Sequence, residues 1–148
     1  MKSVEVPPAD ELTAGWWAAT REHRLAVQVC DSCAGVQHPP RAVCTHCGRS
    51  DRLTLQDASG GGEVDSYTVV HQAPAPNVEV PYVIARVRLD EGVVLLTRLE
   101  GREDLESWRI DERVVLDWVD LPDGRALPVF RPHSAQWLVT GPREGDAT

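Results

Sequence analysis

From residue 64 onward the apolar positions recur with a period of two, the mark of strands with one covered face. Val64, Ser66, Thr68 and Val70 fall on one side of the first run, and Asp65, Tyr67, Val69 and His71 on the other. After the proline-rich loop APAPNVEVP, Val83, Ala85, Val87 and Leu89 face inward while Arg86 and Arg88 face outward. Asp90-Glu91-Gly92 then turns the chain back through VVLLTRLE, which predicts a hairpin. Leu105–Ile110 reads as an irregular or short helical connector. Val114, Leu116 and Trp118 form one face of a fourth strand, and Leu121-Pro122-Asp123-Gly124 makes the next turn. ALPVFRP closes the sheet and is expected at an edge, because Pro128 and Pro132 cannot donate to a ladder. About five strands with a long third-to-fourth connection predict a small Greek-key barrel of OB type over residues 51–132, with a sandwich as the alternative. The fold class is therefore mainly β.

Upstream the period changes. ELTAGWWAATREHR reads as a helix within residues 1–24, with Asp10 as its N-cap and Leu12, Trp16 and Ala19 on one face. Trp17 falls off that stripe. It either packs on the module that follows or anchors a partner, since Trp is enriched at interface hot spots. Leu25–Val29 and Val36–His38 read as two short strands. At the far end, residues 133–148 read as a tail whose apolar cluster, Trp137-Leu138-Val139, is a last packing segment or a docking tip; its final eight residues carry the composition of a disordered end.

All four cysteines lie in the stretch CDSCAGVQHPPRAVCTHCG, as two Cys-x-x-Cys pairs. Disulfides suit secreted chains, and nothing here suggests secretion. A redox dithiol uses one pair at the start of a helix, whereas both pairs here sit in turn-forming surroundings. Structural zinc fits best: Cys30 with Cys33 and Cys44 with Cys47 complete a tetrahedral thiolate shell, which leaves no open position for substrate. Gly35 and Gly48 follow the second cysteine of each pair and are expected to take the left-handed backbone of such a knuckle. His38 and His46 could each replace a cysteine, but four thiolates already fill the shell. Zinc binding of this type is worth on the order of 10–16 kcal/mol, enough to fold a ribbon over residues 25–50 that has almost no core of its own.

Composition narrows the function. The chain has 148 residues, 42% of them hydrophobic, and a formal net charge of −8. That charge argues against a general nucleic-acid binder, which needs basic residues to displace phosphate counterions. The acidic, proline-broken start MKSVEVPPADEL does not read as a signal peptide, and no apolar run approaches a membrane span, so no membrane association and a cytoplasmic location are expected. No P-loop, dinucleotide fingerprint or nucleophile elbow occurs. SGGG at 59–62 opens a strand rather than a helix and reads as a turn. Asp65 and His71 share a strand face, but ~20 Å of strand separates them, too far for an acid–base pair. Arg86, Arg88 and Arg98, on adjacent strands, are candidate contacts to phosphate groups, with a solvated sheet face as the plainer reading.

With this order of elements fixed, the chain resembles the zinc-ribbon plus OB-fold family catalogued as domain of unknown function number thirty-five. The resemblance rests on Trp16-Trp17, the four-cysteine stretch with V-Q-x-P-P-R inside it, and the later blocks S-Y-T-V-V-H, V-P-Y-V-I-A-R-V-R-L-D-E-G and L-L-T-R-L, across roughly residues 11–132. It implies a rubredoxin-like ribbon, one structural Zn²⁺ on Cys30, Cys33, Cys44 and Cys47, and no catalytic residue. It also implies a role beside a thiolase-like or lipid-transfer-protein-type catalytic subunit, an aldolase or acyltransferase, with acyl-CoA in a shared channel. Steroid side-chain breakdown is one setting for such pairs. Trp16, Trp17 and Trp137 are the expected partner contacts. Two other readings stay open: a single-strand nucleic-acid-binding OB protein, which the charge disfavours, and a free-standing CoA-thioester enzyme.

Overall fold

The computed structural model describes residues 6–133. Its single α-helix, α1 (Ala14–Thr20), is half the length the pattern predicts. Asp10 is the reason at one end. Its carboxylate accepts from the N–H of Leu12 (3.0 Å) and of Thr13 (2.8 Å), closing a separate turn before the helix begins. At the other end His23 adopts a left-handed backbone, φ 54°, and breaks the helix before Arg24. Leu12, placed on the turn, is 47% exposed rather than buried. Trp16, Ala19 and Thr20 form the buried face. The Thr20 hydroxyl donates to the Trp17 carbonyl (2.7 Å) and accepts from Ala126 N–H (3.3 Å), which ties α1 to the barrel.

Three strands form the ribbon sheet: β1 (Ala26–Cys30), β2 (Val36–Gln37) and β3 (Leu53–Asp57), in the order β2-β1-β3. Register pairs Gln28 with Gln37 on one side and with Leu55 on the other. Leu53–Asp57 therefore pairs within the ribbon sheet, although it lies beyond the expected ribbon boundary at residue 50.

The remaining strands are β4 (Gly61–Val70), β5 (Tyr82–Leu89), β6 (Val94–Leu99), β7 (Arg113–Asp120) and β8 (Ala126–Pro132), with a 3₁₀ turn at Leu105–Ser107. They close into a barrel in the order β4-β5-β6-β8-β7, sealed by β4 against β7. This is the five-stranded OB arrangement. Val64, Val83, Val87, Val114 and Phe130 fill it, each at most 1% exposed. Each such side chain contributes about 1.5–3 kcal/mol by leaving water. The run at 60–62 is structural: a Cβ on Gly62 would lie 2.8 Å from the Arg88 carbonyl oxygen, so only glycine lets β4 approach β5 there.

Two expectations fail in the barrel, each for a definable reason. A bulge at Asp65 shifts the β4–β5 register between Val64 and Ser66. One extra residue reverses the alternation. Val64 faces in, but beyond the bulge Tyr67 and Val69 pack on the core while Ser66 and Thr68 are exposed. The second is β8, which is not an edge but lies between β6 and β7. It meets β6 in parallel at one register pair, Leu99 with Phe130. The Pro128 carbonyl points toward β6, where it accepts from the Thr97 hydroxyl (2.8 Å). A residue's N–H and C=O leave a strand on the same side, so the donor Pro128 lacks faces this sparsely bonded seam rather than the β7 ladder.

Candidate metal centre and exposed surfaces

Cys30 ends β1 and starts the first knuckle, and the second hangs on the loop from Pro39 to Arg49. The two are built alike. Ala34 N–H donates to the Cys30 carbonyl (2.8 Å), and Gly48 N–H to the Cys44 carbonyl (2.9 Å). Cys30 N–H donates back to Gly35 (2.9 Å), and Cys44 N–H to Arg49 (2.7 Å). The left-handed position falls on Ala34 (φ 62°) and on Gly48 (φ 77°). Gly35 is thus not the left-handed residue the sequence suggests. It is glycine for space, since a Cβ there would meet the His46 ring at 2.4 Å.

The knuckles bring all four sulfurs within 4.8 Å of one another. Cys30 Sγ lies 3.7 Å from Cys47 Sγ, and Cys33 Sγ 3.6 Å from Cys44 Sγ. A tetrahedron of ~2.3 Å Zn–S bonds has edges of ~3.8 Å, so the sulfur cage already has the size of a zinc shell. Gly35 N–H and His46 N–H point at Cys33 and Cys44 sulfurs, both at 3.4 Å, and favour thiolate. For Cys33 the Gly35 N–H is outweighed by desolvation and by the other three sulfurs, which push its thiol up to about 12. N–H groups of Cys47 and His46 hold Cys44 down to about 6. Four thiolates this close repel one another, and a Zn²⁺ ion held between them would offset that repulsion. His38 and His46 are not in the cluster: His38 is packed against Trp16 with ring centroids 5.8 Å apart, and His46 Nε2 lies 3.2 Å from the Val36 carbonyl.

A glutamine pair that the pattern did not single out holds the second knuckle in place. Gln28 and Gln37 are 8% and 5% exposed. Gln37 Nε2 donates to Gln28 Oε1 (2.6 Å) and to the Val43 carbonyl (3.1 Å), while its Oε1 accepts from Thr45 N–H (2.8 Å) and hydroxyl (3.0 Å). Gln28 accepts from Arg41 N–H (2.9 Å) and donates to the Arg41 carbonyl (3.0 Å). The segment 41–45 has no strand partner, so these side chains replace the missing ladder. No local signal marks the pair, because only the β1–β2 register sets Gln28 opposite Gln37.

The arginines lie on the outer barrel face but not as a free cationic cluster. Arg88 is ion-paired with Asp65 and Arg86 lies 3.5 Å from the same carboxylate, and Glu63 is 4.0 Å from Arg88. Arg98 stacks on the Tyr82 ring at 4.0 Å. Trp16 is 8% exposed and belongs to the core. Trp17 is half-buried, edge-on to Trp16 at 4.8 Å, with Arg125 over its ring at 4.5 Å. Beside it opens a notch of about 290 Å³ lined by Ala14, Ala18, Arg21, Asp123 and Arg125. Trp137 and the tail beyond His133 lie outside the described residues. His71 sits 4.0 Å from Glu106 and not beside Asp65. No helix among the described residues is long and apolar enough to cross a membrane.

A four-thiolate ribbon joined to a closed five-stranded barrel defines a zinc-ribbon OB-fold protein. Family models agree: residues 17–54 match the ChsH2 rubredoxin-like zinc ribbon domain, and residues 55–119 the ChsH2 C-terminal OB-fold domain. The chain is 32% identical over 106 residues to a DUF35 domain-containing scaffold protein of Pyrococcus furiosus, covering 70% of this chain and 74% of the relative. It belongs to the DUF35 family. It is 42% identical over 130 residues (88% of the chain) to a probable enoyl-CoA hydratase alpha subunit of Thermomonospora curvata. It is 32% identical over 118 residues (79% of the chain) to the 3-oxo-4,17-pregnadiene-20-carboxyl-CoA hydratase alpha subunit of Mycobacterium tuberculosis. The chain spans only 40% and 37% of the length of these two relatives. Among solved structures it is similar to a chain of the Ltp2-ChsH2(DUF35) aldolase, with a TM-score of 0.78 and 41% identity, covering 86% of this chain and 98% of that one.

Proposed function

We propose that the chain is a non-catalytic subunit that supports a thiolase-like, lipid-transfer-protein-type aldolase or acyltransferase acting on acyl-CoA thioesters. Steroid side-chain degradation in the cytoplasm is the setting we favour. The observation that carries the reading is the likeness to the aldolase chain, which is covered almost end to end. The hydratase names belong to proteins more than twice as long, so hydratase chemistry is not carried over. The site chemistry points the same way. The one cluster of metal-ligating side chains among the described residues is a closed sulfur shell, which supplies structure and no vacant coordination position. Zinc on Cys30, Cys33, Cys44 and Cys47 would cross-link the two knuckles. Arg98, the member of the arginine trio with no carboxylate contact among the described residues, is the proposed contact to CoA phosphate. Trp17 and its notch are a proposed partner contact, and Trp137 stands beside them as one from the sequence.

The nucleic-acid reading is weaker. Trp108 is 2% exposed, Trp118 is covered by the His23 ring at 5.4 Å, and Arg86 and Arg88 face carboxylates, so little stacking or cationic surface remains for bases. Co-expression with the thiolase-like subunit of the same genome, followed by size exclusion, tests the proposal. A stable complex containing both chains is expected. Separate elution of two well-folded chains at micromolar concentration would overturn it.

A further inference from the structure

We infer that the free edge of β3 takes up an extended strand of the thiolase-like catalytic subunit by β-augmentation; this rests on the partner reading above and adds the surface. The barrel closes on itself and offers no open edge. In the ribbon sheet one outer strand, β2, has two residues and runs into Pro39-Pro40. The other, β3, has five residues, LTLQD, paired with β1 in unbroken register. It carries no proline, no lysine and no bulge, and its one charge, Asp57 at the end of the strand, is neutralised by Arg24 at 2.8 Å, so the edge is only lightly protected. Four of its five residues are exposed.

The register says which backbone groups are free. Ala58 N–H donates to the Leu25 carbonyl (2.7 Å) and Asp31 N–H to the Arg52 carbonyl (2.8 Å). The hydrogen-bonded pairs with β1 therefore include Thr54 and Gln56, and the alternate residues Leu53, Leu55 and Asp57 direct N–H and C=O outward. Those three residues present the row of donors and acceptors that an extended backbone completes. Leu55, 38% exposed, packs beside Gly15 of α1, where a Cβ would lie 3.1 Å from its Cδ1, so an added strand would run along the helix as well.

A second copy is the poorer occupant. Five residues span roughly 17 Å and bury only a few hundred Å², well short of the ~1,200 Å² of a stable interface. Two chains of net charge −8 also repel each other. A larger catalytic subunit adds the missing area elsewhere.

Hydrogen exchange of the native chain, alone and in the co-purified complex, reads the edge directly. Leu53, Leu55 and Asp57 amides are expected to exchange fast in the free chain and at least tenfold slower in the complex, while Thr54 and Gln56 are slow in both. Leu55→Pro removes an outward donor without touching the β1 ladder. It should keep one zinc per chain and weaken the complex at least tenfold; if it does not fold, the exchange result on the native chain decides. A complex with unchanged exchange at Leu53, Leu55 and Asp57 overturns the inference while leaving the partner reading intact. Protection of these amides in the free chain that grows with concentration overturns it in favour of self-pairing. Absence of any complex overturns both.

Discussion

Gln37→Leu is the perturbation that separates the two ways this ribbon is held, by metal and by side-chain hydrogen bonds. Leucine keeps nearly the same volume at a site 5% exposed, so packing changes little. What disappears are the bonds to Thr45 N–H (2.8 Å), the Thr45 hydroxyl (3.0 Å), the Val43 carbonyl (3.1 Å) and Gln28 Oε1 (2.6 Å). Gln28 Oε1 keeps the Arg41 N–H at 2.9 Å and is not orphaned, and the Thr45 hydroxyl can turn to water. The Thr45 N–H and the Val43 carbonyl lose their partner. Leaving a buried backbone group unsatisfied costs about 1–3 kcal/mol, and the exposed flank of Thr45 and Val43 puts both near the lower end, so roughly 2–4 kcal/mol in all. Zinc binding on the order of 10–16 kcal/mol absorbs that loss, and the variant stays folded when loaded. The loss then appears in metal affinity, because the loop carrying Cys44 and Cys47 must be ordered by the metal alone. At 1.4 kcal/mol per factor of ten, apparent zinc affinity should fall roughly 30- to 1,000-fold. Competition with a chromophoric chelator measures it. An affinity within about threefold of the native value would refute the idea that the glutamine pair pre-orders the second knuckle.

The remaining expectations follow from single residues. Ala34 holds a left-handed backbone at φ 62°, so Ala34→Gly should stabilise the chain by about 0.5–1 kcal/mol, a rise of roughly 2–3 °C in calorimetric Tm; a fall would contradict the strain. Cys30→Ser with Cys33→Ser should abolish the zinc, about one per chain by elemental analysis, and lower soluble yield; undiminished zinc in the double variant would count against the shell. The Arg113 guanidinium, donating to Asp90 at 2.7 Å and opposed by slight burial, holds the Asp90 carboxyl below its ordinary value of 3.8. A depressed folded value gives stability that is present above the unfolded pKa and lost as pH falls through the folded one. Asp90→Asn should therefore cost under ~1 kcal/mol at pH 7, since the pair is largely exposed, with the gap constant to pH 5 and closing below about pH 3.8. A gap that widens in acid would reverse the assignment.

The ribbon and the barrel were legible because their signals are local. Two Cys-x-x-Cys pairs can aim four sulfurs at one point wherever the chain goes, and period-two runs with Gly and Pro turns mark strands without knowledge of their partners. Four features were not legible, and each depends on long-range pairing. The bulge at Asp65 reverses which of Tyr67 and Thr68 faces in, and nothing in β4 alone shows that β5 skips a residue there. Pro128 and Pro132 suggest an edge, yet β8 sits inside the barrel because their missing donors fall on its sparsely bonded seam with β6. Arg86 and Arg88 read as candidate phosphate contacts until Asp65 and Glu63 are seen across the strand, whereas Arg98 stays clear of both carboxylates. Gln28 and Gln37 read as ordinary polar positions until the register places them opposite each other.

Turnover of acyl-CoA thioesters, assayed for both aldol cleavage and acyl transfer, by the partner alone, by this chain alone and by the complex tests the central claim most directly. The complex should turn over an acyl-CoA thioester by one of the two reactions, this chain should show no turnover, and the partner alone should be insoluble or strongly impaired. Turnover by the purified chain, or full activity of the partner without it, would contradict the account.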